Sequence, residues 1–289
     1  MTAARSSASD DQGRGARGAK PAETAKPTET GKPNETKAIR VIARLDIKAP
    51  NLVKGIRLEG LRVIGDPAEH AARLFAEGAD EIHYQDIVAS LYGRNSIADL
   101  VRATAERIFV PLTVGGGIRT ISDIRLLLRA GADKVCLNTA AVKRPAFITE
   151  AATTFGSQCV VVAVETIRQP SGRWEAFTDN GREHTGLDAE EWARRAVDLG
   201  AGELMLTSVD REGTKKGFDL EFLSRLSRSV GVPVVAHGGA GSPAHLVAAA
   251  EAGADALAVA SLFHYRLATV AACKRALATA GHAVREESA

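Results

Sequence analysis

The chain has 289 residues, 45% of them hydrophobic, and a net charge of +2. This length suits one α/β barrel domain with a large core, and the balanced charge argues against nucleic acid or an anionic membrane as a partner. The three cysteines show no paired or metal-ligand spacing, so we expect no metal, no cofactor and reduced thiols in a cytoplasmic protein. No apolar run approaches the length of a membrane span.

The first 37 residues differ from the rest in composition. They contain almost no large apolar side chain, and a Lys-Pro hexad recurs at 18–23, 24–29 and 30–35. Such a segment buries too little surface to offset the entropy lost on ordering. We therefore predict a disordered, low-complexity tail over residues 1–37 and a barrel domain over residues 38–289.

The barrel domain alternates predicted strands and helices. The predicted strands are Ile39–Ile47, Glu81–Ile87, Pro111–Val114, Lys134–Leu137, Cys159–Thr166, Glu203–Ser208, Pro233–His237 and Ala256–Ala260. Helices are predicted to start near Pro67, Asn95, Ile121, Ala146, Leu187, Asp219, Pro243 and Leu267. Eight βα units with mostly short connections predict a closed parallel (β/α)8 barrel of the TIM type.

The second half of the barrel repeats the first. The Val-Pro start of a strand, a glycine cluster and a Gly-Ala-Asp turn recur at a constant offset: 110 and 232, 116 and 238, 131 and 253. Self-similarity of this kind indicates a two-fold half-barrel architecture. The two long βα connections, Lys48–Asp66 and Ile167–Gly186, occupy equivalent places, on the face where barrel enzymes build their sites.

Glycine turns at equivalent strand ends predict two anion sites. Glycine lets backbone N–H groups approach a phosphate closely. The first predicted site combines Gly116 and Gly117 with Asn138 and Thr139 on the next strand, and its counterpart combines Gly238, Gly239, Ala260 and Ser261. Two such sites at one barrel mouth predict a small-molecule substrate with a phosphate at each end.

Two carboxylates fall between these anchors. Strand parity places Arg40, Ile42, Arg44 and Asp46 on one face of the first strand, and Glu165 ends the fifth. A carboxylate pair at opposite strand ends can serve as general acid and base. Lys54 in the first long loop is a candidate phosphate ligand, and Asp210 and Glu212 after the sixth strand are candidates to line the site.

Several motifs make the domain similar to the cyclase subunit of imidazole glycerol phosphate synthase. They include LDIK at 45–48, TVGGGI at 113–118, GADKVCLNTAAV at 131–142, GAGELMLTSVDREGTKKGFD at 200–219 and GGAG at 238–241. The resemblance implies a lyase of histidine biosynthesis. It would use ammonia from a glutamine amidotransferase partner, in a heterodimer, to convert a bisphosphorylated ribulosyl aminoimidazole carboxamide ribotide into imidazole glycerol phosphate and aminoimidazole carboxamide ribotide.

The resemblance also assigns roles by position. Asp46 and Glu165 fall on the two catalytic positions, and Gly117, Asn138, Thr139, Gly239, Ala260 and Ser261 fall on the two phosphate sites. A charged gate at the ammonia entrance, on the face opposite the substrate, maps to Arg40, Glu81, Lys134 and Glu203.

Four positions depart from the family pattern. Glu165 and Glu212 stand where aspartate is usual, Arg44 where cysteine is usual, and His237 where serine is usual. A guanidinium two residues below Asp46 would lower the pKa of that carboxyl, and it could obstruct a path for ammonia.

These departures leave two alternatives open beside the histidine-pathway enzyme. The first is a paralogue that supplies ammonia for amination or amidination of a surface-polysaccharide sugar. The second is a catalytically weak barrel that docks and activates a glutaminase.

Overall fold

Eight parallel strands close into a barrel in the computed structural model, which describes residues 37–57, 59–89 and 97–285. The barrel strands are β1 (Arg40–Lys48), β4 (Glu81–Asp86), β5 (Leu112–Gly115), β6 (Lys134–Leu137), β7 (Val160–Arg168), β10 (Glu203–Ser208), β11 (Val234–His237) and β12 (Ala256–Val259). They run in the order β10-β11-β12-β1-β4-β5-β6-β7, and β7 pairs with β10 to complete the circle. The predicted (β/α)8 barrel is confirmed.

Each long βα connection folds into an antiparallel hairpin. The first contains β2 (Asn51–Ile56) and β3 (Glu59–Gly65), and the second contains β8 (Trp174–Thr178) and β9 (Glu183–Asp188). The strand β2 pairs antiparallel with the end of β1, with Asp46 opposite Val53, and β8 pairs in the same way with β7, with Glu165 opposite Phe177. The two halves of the barrel therefore carry equivalent hairpins beside equivalent carboxylates.

The helices cover the outside of the barrel. They are α1 (Pro67–Ala76), α2 (Ala98–Ala105), α3 (Ile121–Arg129), α4 (Thr139–Lys143), α5 (Ala146–Phe155), α6 (Ala189–Asp198), α7 (Leu220–Ser229), α8 (Pro243–Glu251), α9 (Ser261–His264) and α10 (Val270–Thr279). Side-chain caps fix several starts: Asp66 accepts the N–H of Glu69, and Thr120 forms a capping box with Asp123.

Alternation along β1 separates two cores. Val41, Ala43, Leu45 and Ile47 face outward into the large core between strands and helices, whereas Ile42 faces the barrel interior. That interior cluster is completed by Cys136, Val161, Ala163, Met205, Val235, Ala256 and Ala258. Charged side chains lie above and below this apolar layer, which confirms the parity predicted for Arg40, Ile42, Arg44 and Asp46.

The predicted barrel strands match the observed ones to within about two residues. The sequence reading missed the strands β2, β3, β8 and β9 and the short helices α4 and α9. Apart from Lys37, the predicted tail lies outside the described residues, as does Asn95, near which a helix was predicted to start; α2 is described from Ala98.

Candidate active site

A cavity of about 490 Å³ opens at the carboxyl ends of β4 to β7. The predicted residues Gly116, Gly117, Asn138, Thr139 and Glu165 all line it. Arg119, Lys143 and Arg144 add positive charge to the same wall. The structure thus brings the first predicted phosphate site and one of the two carboxylates into one space, as required for a single ligand.

The glycine turn after β5 owes its close packing to the absence of a side chain. Gly116 has a φ of +97°, and a Cβ there would lie 2.0 Å from the carbonyl oxygen of Asp86. Gly117 also has a positive φ, of +70°. An L-residue with a side chain would be strained at both positions. Because both residues are glycines, no side chain lies between their backbone and the cavity.

Glu165 is a buried carboxyl on the cavity wall. It is 6% exposed and accepts the N–H of Gly181 at 2.9 Å. Burial raises the pKa of Glu165 to about 7, and the Gly181 N–H offsets only part of that increase. A carboxyl group with such a pKa exchanges its proton near neutral pH, which suits a general acid.

Asp46 lies on β1, and three strands separate it from β7 in either direction around the barrel. It does not line the 490 Å³ cavity: it is 1% exposed and lies beneath Lys54, whose Nζ is 2.7 Å from Asp46 Oδ2. Lys54, itself 1% exposed, also pairs with Glu212. The predicted residues Asp46, Lys54 and Glu212 therefore form one buried ion cluster held by the β2–β3 hairpin.

Arg44 completes this cluster from inside the barrel. Its Nε donates to Asp46 Oδ1 at 3.1 Å, and its Nη1 lies 3.2 Å from Nδ1 of His237. Burial alone would raise the pKa of Asp46, but the cations of Lys54 and Arg44 outweigh it and hold that pKa well below its usual range. Asp46 is thus ionised throughout the pH range in which Glu165 titrates. The lowered pKa of Asp46 agrees with the prediction made from Arg44.

The second predicted phosphate site is compact and buried. Gly238 and Gly239 follow β11 with φ of +97° and +104°, and Ala260 and Ser261 follow the neighbouring strand β12. All four are buried, and none lines the 490 Å³ cavity. The structure therefore places them at adjacent strand ends, as the repeat predicted. Unlike the first site, they are not open to the 490 Å³ cavity.

Asp210 points away from the ion cluster. It accepts the backbone N–H of Arg168 at 2.8 Å and lines a separate cavity of about 410 Å³ with Arg211 and Lys216. The other candidate after β10, Glu212, faces Lys54 instead. The carboxylates of Asp210 and Glu212, both in the turn after β10, therefore contact different parts of the protein. Their spacing in the sequence could not show this.

The opposite end of the barrel carries a ring of four alternating charges. Arg40 pairs with Glu81 at 2.9 Å and with Glu203, and Lys134 pairs with Glu81 at 2.8 Å and Glu203 at 2.9 Å. Burial opposes ionisation of Glu203, but Arg40 and Lys134 lower its pKa below the usual value. The four predicted gate residues meet in one closed ring at the strand starts.

Sequence reasoning missed the residues that the second hairpin contributes. Asp179 and Asn180, at the β8–β9 turn, line the cavity, and Asn180 Nδ2 donates to the Ile87 carbonyl at 2.7 Å. Both have positive φ values, 53° and 61°. The Asp-Asn-Gly run is a recognisable hairpin turn, but no local signal shows that the turn folds back over Glu165.

Within the described part of the chain, no group of three or more His, Cys, Asp or Glu side chains could hold a metal ion. None of its helices has the length and apolar character needed to cross a bilayer.

Comparisons with known proteins place this site in context. A family model described as "Histidine biosynthesis protein" matches residues 40–269. Three relatives are each named "Imidazole glycerol phosphate synthase subunit HisF". The Legionella pneumophila protein is 59% identical over 203 residues, 70% of this chain and 96% of the relative. The Streptomyces coelicolor protein is 52% identical over 250 residues (86% and 100%), and that of Mycobacterium leprae 51% over 255 residues (86% and 97%).

Proposed function

Because the chain belongs to the histidine biosynthesis protein family, we propose that it is the cyclase subunit of imidazole glycerol phosphate synthase, an enzyme of histidine biosynthesis. The observation that carries this proposal is 59% identity to a relative of that name over 96% of the relative's length. The geometry agrees with it, since one cavity combines a glycine turn, cations and a titratable carboxyl.

The finer proposal concerns the reaction. Ammonia attacks a ribulosyl aminoimidazole carboxamide ribotide with a phosphate at each end. The ammonia nitrogen condenses with the ribulosyl carbonyl, whose oxygen leaves as water. Together with one nitrogen and three carbons of the substrate, it closes an imidazole ring that carries the glycerol phosphate. The bond to the other part breaks, and aminoimidazole carboxamide ribotide leaves. Gly116, Gly117, Asn138 and Thr139 hold one phosphate, with Arg119 and Arg144 nearby, and Gly238, Gly239, Ala260 and Ser261 hold the other.

Opposite environments support separate roles for the two carboxylates. Attacking ammonia must lose protons, and the departing ribotide must gain one. Asp46, kept ionised by Lys54 and Arg44, is the base, and Glu165, with a pKa of about 7, is the acid. Because Asp46 lies beneath Lys54, substrate reaches it only after the β2–β3 hairpin has moved aside.

The word "subunit" in the relatives' names supports a partner. We propose a glutamine amidotransferase that docks in a heterodimer on the face bearing Arg40, Glu81, Lys134 and Glu203. A charged ring at the strand starts suits the passage of a small polar molecule into the barrel. We also propose a cytoplasmic location.

The direct test is turnover of the bisphosphorylated ribulosyl substrate by the purified full chain with an ammonium salt. We expect both products, with turnover reduced about 10²- to 10⁴-fold in Asp46→Asn, which keeps the shape but loses the base. Arg102→Met, a surface substitution on α2, serves as the control. No turnover by the wild-type chain would reject the cyclase. Retained binding of a glutaminase would then favour the sugar-amination paralogue or the docking barrel.

A further inference from the structure

The side chain of Arg44 occupies the barrel interior between the charged ring and Asp46. On the inward face of β1 it lies four residues after Arg40 and two before Asp46. It is 3% exposed, and its Nη1 lies 3.6 Å from Met205 Sδ, at the apolar layer. The guanidinium therefore places a fixed positive charge in the barrel interior, between Met205 of the apolar layer and Asp46.

This guanidinium determines which ring nitrogen of His237 carries the proton. Arginine only donates hydrogen bonds, so Nδ1 of His237, 3.2 Å from Arg44 Nη1, must accept. Thr207 Oγ1 lies 3.3 Å from the same nitrogen. His237 is consequently a neutral imidazole with its proton on Nε2, and protonation of Nδ1 would break its contact with Arg44.

A second buried histidine lies next to Arg44 on the neighbouring strand. His83 is paired in register with Arg44 and has no exposed surface. Its Nε2 lies 3.3 Å from Gln85 Oε1, which accepts a hydrogen bond from the Nε2–H. Its Nδ1 is buried and has no partner among the described residues. A buried acceptor without a donor is available to a small molecule that donates a hydrogen bond.

We infer that Arg44 is a positioning residue that orients Asp46 and keeps His83 and His237 neutral, so that the barrel interior receives neutral ammonia and excludes ammonium. The inference rests on the proposed function, because ammonia is the small donor that reaction requires. Neutral ammonia can donate to the free Nδ1 of His83, whereas ammonium would add a further cation to a buried region that already holds Arg44 and Lys54.

The groups around the two histidines favour the neutral state. Burial first, and then the charge of Arg44, lower the pKa of His83 to about 3 and that of His237 well below its usual value. Lys54 and Lys134 add positive charge, while Asp46 opposes the effect. The titratable and charged groups that face this interior are Arg40, Arg44, Asp46, Lys54, Glu81, His83, Lys134, Cys136, Glu165, Glu203, Glu212 and His237.

Imidazole ¹⁵N NMR of the full-length chain tests the charge states without any substrate. Signals of His83 and His237 are assigned by His83→Gln and His237→Gln. We expect both rings in the wild type to stay neutral from pH 8 to pH 5. Arg44→Met, which keeps an unbranched side chain and removes the charge, should raise the midpoint of at least one ring by about one pH unit or more, with both titrations extended below pH 5 as far as the proteins stay folded. Arg44→Lys should keep both rings neutral.

The same variants test the effect on Asp46. In ammonium-dependent turnover, Arg44→Met should lower kcat. It should also move the acid limb of the pH profile to higher pH, because the pKa of Asp46 rises when the neighbouring cation is removed. Arg44→Lys should rescue both effects in part. Titration of either ring above pH 5 in the wild type would overturn the inference, even if Arg44→Met failed to fold. So would unchanged midpoints in a folded Arg44→Met protein. A chain without cyclase turnover but with the expected NMR result would reject the proposed function and retain the electrostatic role.

Discussion

Asp46 and Glu165 show how strongly surroundings decide the behaviour of a carboxyl group. Both are at least nine-tenths buried at the carboxyl ends of opposite strands. Two cations contact Asp46, whereas Glu165 accepts a hydrogen bond from the neutral backbone N–H of Gly181. Their pKa values therefore shift in opposite directions, which supports the base and acid roles proposed for them.

The raised pKa of Glu165 predicts a pH-dependent stability. Its folded-state pKa of about 7 exceeds the reference value of 4.5, so its contribution to stability is full below pH 4.5 and is lost as the pH rises through 7. Glu165→Gln cannot ionise. Between pH 4.5 and pH 8 the variant should gain about 3 kcal/mol in unfolding free energy relative to the wild type, as measured by urea denaturation.

The control for this measurement is Glu106→Gln, on the exposed surface at the end of α2. Its difference from the wild type should stay within about 0.5 kcal/mol over the same range. A parallel pH dependence in Glu165→Gln and the wild type would contradict the burial argument.

Residue-scale prediction from the sequence succeeded where strand parity decides the direction of a side chain. Arg44 and Asp46 share a face because they are two residues apart on a strand, and the structure places their side chains 3.1 Å apart. The burial of Lys54 was not predictable in this way. It depends on how the β2–β3 hairpin packs against Glu212, which is 158 residues away in sequence.

At the scale of elements, the β2–β3 hairpin is held against the turn after β10. Arg57 N–H donates to the Glu212 carbonyl at 3.0 Å. Gly213, with a φ of +71°, packs so closely that an added Cβ would lie 2.8 Å from Ile56 Cα and 2.9 Å from the Gly55 oxygen. This contact keeps Lys54 over Asp46.

Gly213→Ala should loosen that contact. A left-handed φ costs an L-residue about 1–2 kcal/mol, and the clash with the hairpin backbone should add about 1–3 kcal/mol. The matched control is Gly172→Ala in the β7–β8 turn, where φ is +82° and nothing lies within 4 Å of the added Cβ. Urea denaturation should show the larger loss for Gly213→Ala, and limited proteolysis should cut it faster between residues 48 and 65. Equal behaviour of the two variants would show that the contact does not restrain the hairpin.

The barrel strands and their helices were predictable because each carries its own periodic apolar pattern and turn residues. The two hairpins were not, because strands such as Glu183–Asp188 are short, polar and largely exposed. Their pairing is determined by the preceding barrel strand: β8 pairs antiparallel with β7, and β9 pairs antiparallel with β8. Local patterns do not reveal such a tertiary partner.

For the whole molecule, the sequence repeat was the most informative observation. It predicted two equivalent halves, and the structure shows equivalent hairpins and carboxylates on β1 and β7. It also predicted two equivalent phosphate sites, but only the first lines the 490 Å³ cavity. Repetition determines where the strand ends lie, whereas the packing of individual loops determines which ends are open.

The two ends of the barrel have separate tasks in the proposed enzyme: ammonia enters through the ring at one end and reacts at the other. Lys134 bridges Glu81 and Glu203 in that ring, on the strand β6 whose opposite end leads to Asn138 and Thr139. A change at Lys134 should therefore affect delivery of ammonia and leave the chemistry largely intact.

The most direct test compares glutamine-dependent and ammonium-dependent turnover in the complex with the glutaminase partner, for the wild type, Lys134→Met and the surface control Arg102→Met. We predict that Lys134→Met lowers glutamine-dependent turnover about tenfold or more, while ammonium-dependent kcat stays within about twofold and the control matches the wild type. An equal loss in both assays, or no loss in either, would contradict entry through the ring and reaction at the opposite end.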